Sequence, residues 1–350
     1  IMSVMSSTPP TSATSSTSDP STMTAVVQRR YGSADTLTVE DIPLPEIGDT
    51  EVLIETVAAG IDRGVWHLMT GTPYLVRLAG YGVFAPKNPV LGMDIAGRGV
   101  AVGASVHGGA PGDAVMGIAK GSFAEYAVAD KDKIVLKPAG ISFEQAAAST
   151  ISGITALQAL TTVGGVEAGQ RVLVIGASGG VGSFAVQIAT SRGATVTGVA
   201  STAKLDFVSS LGAAAVVDYT STRIGELDER FDLIIDIGGR TRLSELRSVL
   251  TERGTLVIVG GEDGGRFTGG IGRNIRAVML SPFVKQRLTF FVSSESRTYI
   301  EPLVEMLSRG DVVPAIGRRS DLSDVPDAIR AVEDGTVVGK AVVTIGNGAE

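Results

Sequence analysis

Cysteine is absent from the 350 residues, histidine occurs twice, at His67 and His107, and tryptophan once, at Trp66. Without cysteine there is no disulfide, no thiolate nucleophile and no cysteine-bound metal. Two histidines cannot build a histidine-rich metal site, so no metal is expected. No apolar run reaches the roughly 18 residues that a membrane-spanning helix needs, and no membrane partner is expected. The net charge is -7 and the basic residues are scattered, in pairs no longer than Arg29-Arg30 and Arg318-Arg319. A nucleic-acid binder carries a basic face or stripe, so nucleic acid is excluded as a partner on charge. Residues 1–24 are rich in Ser, Thr and Pro and hold no Lys or Arg. A signal or transit peptide needs such charges, so a disordered tail is expected. With the missing cysteines this fits a cytoplasmic protein. The first residue is Ile1, and Met23, just before the first strand-like run, is a candidate start.

What is present is apolar and rich in turns. Hydrophobic residues make up 44% and charged residues 19%, enough to bury a large core in about two domains of roughly 150 residues each. The 45 glycines follow no period, which excludes collagen and predicts many tight turns. From Ala25 to about residue 145, short β-runs such as Glu51 to Ala58 and Phe123 to Val128 are separated by turn signals such as Pro111-Gly112-Asp113. A compact, mostly antiparallel domain is expected there. Ser142, followed by Phe143-Glu144-Gln145, reads as a helix cap. Beyond it strands alternate with helices: strands at 171–175, 195–199, 215–217, 232–236 and 255–259, helices at 181–192, 203–211 and 241–251. That alternation is the mark of a doubly wound parallel sheet. A helix over 300–308, an amphipathic segment over 325–332 and a strand over 340–345 close the chain.

The strongest motif is Gly176-Ala177-Ser178-Gly179-Gly180-Val181-Gly182, placed after an apolar strand and before a helix, as a dinucleotide site requires. Gly179 and Gly180 let the backbone approach a pyrophosphate, and Gly182 permits close helix–sheet packing. The helix amino terminus offers free N–H groups and a favourable dipole. Ala177 holds the place of the first glycine of G-x-G-x-x-G. NAD-preferring sites put an acid about 20 residues further on. Here the second strand runs into Ala200-Ser201-Thr202-Ala203-Lys204 with no carboxylate. Ser201 can donate to a 2′-phosphate and Lys204 can balance its charge, which favours NADPH; Lys204 also suits a solvated helix lysine.

At these residues the chain resembles the zinc-free branch of the medium-chain dehydrogenase/reductase superfamily, typified by quinone oxidoreductases. The likeness is carried, besides the phosphate loop, by Ala59-Gly60-Ile61-Asp62, Pro89-Val90-Leu91-Gly92-Met93-Asp94, Gly112-Asp113-Ala114-Val115, Gly121-Ser122-Phe123-Ala124-Glu125-Tyr126 and Gly339-Lys340-Ala341-Val342-Val343. It implies a GroES-like catalytic domain built from both ends of the chain (25–150 and 292–350) around an inserted Rossmann domain (151–291), commonly as a homodimer. The zinc-ligand positions of the superfamily fall on Asp62, Met93 and about Ile151, and one carboxylate is not a catalytic zinc site.

The resemblance also implies roles. Ser178, Gly179, Gly180 and Val181 would hold the pyrophosphate, and Ser201, Lys204 and Tyr219 the 2′-phosphate or ribose. Thr155, Gly238, Val259 and Gly260 would lie along the ribose and nicotinamide, with Phe290 and Phe291 near the cleft. Asp62 and His67 stand where quinone reductases usually carry Asn and Tyr. Histidine titrates near neutral pH, so His67 is a candidate proton donor; it equally fits a packed residue of the helix around Val65 to Met69. His107 reads as a plain turn residue. Trp66 and Tyr74 are candidates for stacking on a flat substrate, or ordinary core, and the run Tyr74 to Lys87 is a candidate loop over the cleft.

Without zinc to polarise an alcohol or carbonyl oxygen, a conjugated acceptor is the easier target, because charge spreads to a distant oxygen that hydrogen bonds can hold. The expected activity is therefore hydride transfer from NADPH to a quinone or α,β-unsaturated carbonyl. A zinc-free alcohol dehydrogenase or aldehyde reductase, and a non-catalytic NADPH-binding protein, are the alternatives.

Overall fold

The computed structural model describes residues 21–261 and 265–346, so the Ser/Thr-rich tail expected at the amino terminus lies outside them up to residue 20. Two sheets carry the fold. The first has six strands in the order Ala215–Asp218, Thr195–Ala200, Arg171–Ile175, Phe231–Asp236, Leu250–Ile258 and Arg287–Phe290. All neighbours are parallel. In chain order this is 3-2-1-4-5-6, the doubly wound arrangement. Covering helices bury its strands on both faces, so they read as unbroken apolar runs such as Val172 to Ile175. The helix Gly180–Ser191 packs Phe184, Ala185, Ile188 and Ala189 inward, the spacing of one helical stripe. It stops at Gly193, whose φ of 81° suits a residue without a side chain.

The second sheet runs Ile316–Asp321, Lys340–Thr344, Glu51–Ile61, Asp94–Val102, Ala114–Ile118 and Ile134–Leu136, with Tyr126–Asp130 also pairing Glu51–Ile61. Every pairing is antiparallel except that of Ile316–Asp321 with Lys340–Thr344. The last strand sets Ala341 opposite Ile61. Early and late segments therefore share one sheet, and the parallel sheet lies between them in sequence.

Three details differ from the sequence expectation. The first strand starts at Thr22, because Thr22–Gln28 pairs with Leu37–Pro43 along its whole length. The helix expected over 241–251 is only Leu243–Ser248. The following strand starts at Leu250, opposite Phe231, and buries Val249 and Leu250. No strand is expected from the sequence at Arg287–Phe290; its four residues form the sixth strand by pairing with Leu250–Ile258.

One buried ion cluster ties the second sheet together. The Lys340 ammonium lies 2.9 Å from a carboxylate oxygen of Asp94 and 3.9 Å from Asp62. Lys340 and Asp94 are fully buried. Asp94 uses its other oxygen to accept the Ile151 N–H at 2.7 Å, joining the sheet to the helix Thr150–Gln158. Burial pushes the Asp94 carboxyl up to about 6 against the pull of Lys340. Burial opposes the Lys340 charge, but Asp94 and Asp62 outweigh it and hold that ammonium above its usual range. A buried charge stripped of its partner is far costlier than no charge at all. Asp94→Ala is therefore expected to lose about 3–5 kcal/mol of stability in chemical denaturation. Adding Lys340→Met should restore much of it. A loss under about 1 kcal/mol in the single variant would show that Asp62 alone suffices to hold the lysine.

Candidate active site

The C-terminal ends of the parallel strands face the second sheet across a groove of about 710 Å³. It lies where the strand order reverses, between Arg171–Ile175 and Phe231–Asp236, the place where open α/β sheets take their ligands. The phosphate loop forms one wall. Gly176 has a φ of 85°, which favours glycine. A Cβ on Gly182 would stand 2.1 Å from the Gly176 carbonyl oxygen, so the helix can start this close to the strand only with glycine there. A Cβ on Gly180 would fall 3.0 Å from both the Ser152 hydroxyl and Lys340 Cδ. The Gly339 N–H donates to the Ser178 carbonyl at 2.8 Å, fastening the loop to the strand that carries Lys340. The cradle is thus a helix amino terminus walled by both sheets, and its shape and free N–H groups fit a pyrophosphate.

Of the cofactor residues expected from sequence, Ser178, Gly179, Gly180, Val181, Ser201, Lys204, Tyr219 and Gly238 all line this groove. Asp62 lines it too. Lys204 does more than face the groove: its ammonium donates to the carbonyls of Gly335 and Val337, bridging to the turn before the last strand. Burial lowers its pKa. The strand Thr195–Ala200 ends with no carboxylate. Asp218, at the end of the next strand, is held by Thr202 and Thr220 and is not among the residues lining the groove.

Other expected residues fall elsewhere. Thr155 donates to the Ile151 carbonyl within its own helix, at 2.7 Å. Val259 packs on the core, and a Cβ on Gly260 would meet the Ile237 carbonyl oxygen at 1.9 Å, so this glycine serves the close approach of two strand ends. Phe290 and Phe291 pack against two core clusters. None of these five is among the groove-lining residues. His107 borders a separate cavity of about 240 Å³.

Asp62 caps the helix Arg63–Thr70: one carboxylate oxygen accepts the Val65 N–H at 3.1 Å, while the other is buried, without a hydrogen bond, facing Lys340. His67 lies on that helix away from the groove lining. Its Nδ1 is 2.8 Å from the Thr72 carbonyl, so Nδ1 carries the proton and Nε2 is left over. Trp66 packs on the core with the Arg63 guanidinium 4.4 Å above its ring. Tyr74 reaches across the molecule: its N–H donates to the Arg266 carbonyl at 2.8 Å and its ring meets Phe267 edge-on at 5.2 Å. At the superfamily's other two zinc positions, Met93 and Ile151 pack against the hydrophobic core. Among the described residues no three His, Asp or Glu side chains cluster as a metal site.

Several residues of the site escape the sequence reading. Arg63, Arg223, Arg240, Arg242 and Lys340 line the groove beside Lys204, with the carboxylates of Asp62, Glu245 and Glu333; Lys340 is neutralised by the buried Asp94, and Arg223 pairs with Glu245 at 2.9 Å. Asp236 lies fully buried beneath the loop that carries Arg240 and Arg242. It accepts the Gly239 N–H at 3.1 Å and pairs with Arg273, while burial raises its pKa. The available signal was one ionisable residue inside an apolar run, as with Lys340 in Gly-Lys-Ala-Val-Val and Asp94 in Leu-Gly-Met-Asp-Ile-Ala.

This geometry, a dinucleotide cradle facing a β-domain, agrees with comparisons to known proteins. The family described as "Alcohol dehydrogenase GroES-like domain" matches residues 48–139, and "Zinc-binding dehydrogenase" matches residues 211–343. The chain is 30% identical to a 2-methylene-furan-3-one reductase of Solanum lycopersicum, over 94% of this chain and 80% of that protein. It is 30% identical to an NADPH-dependent alkenal/one oxidoreductase, chloroplastic, of Arabidopsis thaliana, over 94% and 81%. Its fold superposes on the quinone oxidoreductase of Coxiella burnetii with a TM-score of 0.82 at 27% identity, covering 93% of this chain and all of that one. The protein belongs to the medium-chain dehydrogenase/reductase superfamily, in its quinone oxidoreductase branch.

Proposed function

We propose that this oxidoreductase uses NADPH to reduce quinones or α,β-unsaturated carbonyls, without zinc. The observation that carries the cofactor choice is the groove's electrostatics: the second parallel strand ends without an acid, and five cations besides the buried Lys340 line the groove against Asp62, Glu245 and Glu333. A 2′-phosphate adds roughly two negative charges, and this wall favours them. Ser201, Lys204 and Tyr219 line the groove and would receive that group, and Arg223, paired with Glu245, lines it as well. The names of relatives that reduce alkenals, furanones and quinones support the acceptor class.

When bound, NADPH supplies the hydride. The protein's part is to hold the reacting groups together and to manage charge. The phosphate loop fixes one end of the groove through backbone N–H groups. Asp62 lines the groove where the strand Glu51–Ile61 ends, its free oxygen held next to Lys340. We assign the proton-handling role at the acceptor oxygen to Asp62. We assign His67 to the helix end, where its Nδ1–H satisfies the Thr72 carbonyl. No second carboxylate, imidazole or thiolate stands at the superfamily's zinc positions, which is why a conjugated acceptor is favoured over a simple alcohol.

NADPH oxidation, followed at the nicotinamide absorbance against quinones, enones and simple aldehydes with NADH in parallel, is expected to show turnover on conjugated acceptors and an NADPH preference. Turnover on simple aldehydes alone would point instead to an alcohol dehydrogenase. Tight NADPH binding with no acceptor turned over would point to a binding protein. Lys204→Ala should weaken NADPH binding by roughly ten- to a hundredfold, in line with a charged hydrogen bond of roughly 1.5–3 kcal/mol, and leave NADH nearly unchanged; equal losses for both would show that Lys204 only joins the two halves. Asp62→Ala should lower kcat by about 10²-fold, whereas His67→Ala should change it by less than about threefold. The reverse ranking would return the proton to His67.

A further inference from the structure

Asp236 closes the strand Phe231–Asp236 and is fully buried. It is not among the groove-lining residues, yet the chain directly after it is: Ile237, Gly238, Arg240, Thr241 and Arg242 all line the groove. The turn reverses at Gly239, whose φ is 67°, and one carboxylate oxygen of Asp236 accepts the Gly239 N–H at 3.1 Å. The Gly238 N–H donates to the carbonyl of Ile175, the residue before the phosphate loop, at 3.2 Å. A Cβ on Gly176 would stand 3.2 Å from the Gly238 nitrogen, so turn and phosphate loop lie side by side. A buried acid outside the groove therefore shapes one of its walls.

The other oxygen of Asp236 pairs with Arg273, the third residue of the helix Ile271–Leu280. Arg273 is mostly buried and gives this carboxylate Nη2 alone. Its Nε and Nη1 are buried and meet no acceptor among the described residues. A buried ion pair is weak evidence for stability, because two charges have left water to form it. Donors left over in the same place make the balance worse. What such a pair does supply is direction. Burial pushes the Asp236 carboxyl toward its neutral form, and Arg273 pulls it back toward the ion. An ionised carboxylate only accepts, so with one oxygen on Arg273 the other stays aimed at the Gly239 N–H.

We propose that Arg273 is a positioning residue for the dinucleotide: through Asp236 and the Gly239 N–H it holds the turn 237–242 in its bound shape before the cofactor arrives. Arg273 itself touches no ligand. The proposal rests on the reading of the groove as a dinucleotide site and adds the residue that presets one wall. A preset wall binds more tightly because it loses no freedom on binding. The turn lies against the phosphate loop, which serves the part common to NADPH and NADH. Both cofactors therefore depend on Arg273 equally, in contrast to Lys204.

The test is titration of the full chain with NADPH and with NADH, followed by nicotinamide fluorescence, with the melting temperature recorded alongside. Arg273→Met is expected to weaken both cofactors alike, by about tenfold, while kcat at saturating NADPH stays within about twofold. Arg273→Lys keeps a charge opposite Asp236 and should recover binding to within about threefold. An Asp236→Asn, Arg273→Met double variant removes both buried charges and should melt near the wild type. It should still bind about tenfold more weakly, because nothing aims the amide that replaces the carboxylate. Wild-type affinity in a double variant that melts like the wild type would overturn the proposal. So would fast hydrogen exchange at the Gly239 amide of the cofactor-free wild type, since the turn would then form only on binding. A wild type that binds neither dinucleotide would remove the reading of the groove itself, which a change confined to the variants cannot do.

Discussion

A charged amine cannot remain out of water without a partner, and the Lys340 ammonium is fully buried. Its answer is Asp94 on a neighbouring strand and Asp62 at the start of a helix. Those contacts hold the last strand, a central strand and a helix cap in one arrangement. They also shape the groove, because the preceding residue, Gly339, bonds to the phosphate loop at Ser178. The packing tolerates no spare atom nearby: a Cβ on Gly60 would come 2.4 Å from the Ala147 carbonyl and 2.8 Å from Asp94. Cofactor site and sheet register are therefore one problem with one solution.

Most of the architecture was legible in the sequence because it follows from local patterns. The strand–glycine loop–helix run at 171–192 states its own structure, since apolar period, turn and helix face change within a few residues. The Ser142 cap is likewise local, and both halves of its capping box form. Local patterns fail where tertiary pairing decides. Arg287–Phe290 is too short to announce a strand and exists because Leu250–Ile258 offers an edge. The helix after residue 241 is cut short by the same strand, whose start is set by Phe231 rather than by helix propensity.

The site shows the same division. Residues adjacent to the phosphate loop or at strand ends, such as Ser201 and Gly238, are placed by the alternation of the fold, and they meet on the groove. The cations that set its potential arrive from separate segments, Arg63 from the first half and Arg223, Arg240 and Arg242 from loops after the third and fourth parallel strands. Nothing in their neighbours' spacing joins them. Thr155, Val259 and Gly260, assigned by resemblance, are not among the residues lining this groove, and a Cβ on Gly260 would meet the Ile237 carbonyl oxygen.

The bond from Gly339 to Ser178 has a mechanical consequence when taken with the Lys204 bridge to Gly335 and Val337. Both join the parallel-sheet half to the chain segment that forms the last strand and the turn before it. With the Asp94 bond to Ile151 they pin the last strand and its preceding turn to the Rossmann-type half at more than one point, so the cradle and that strand are positioned together. The Tyr74 bond to Arg266 is a further fastening. It fixes the far end of the cleft, so the Tyr74 side and the phosphate cradle are each pinned by a backbone bond between the halves.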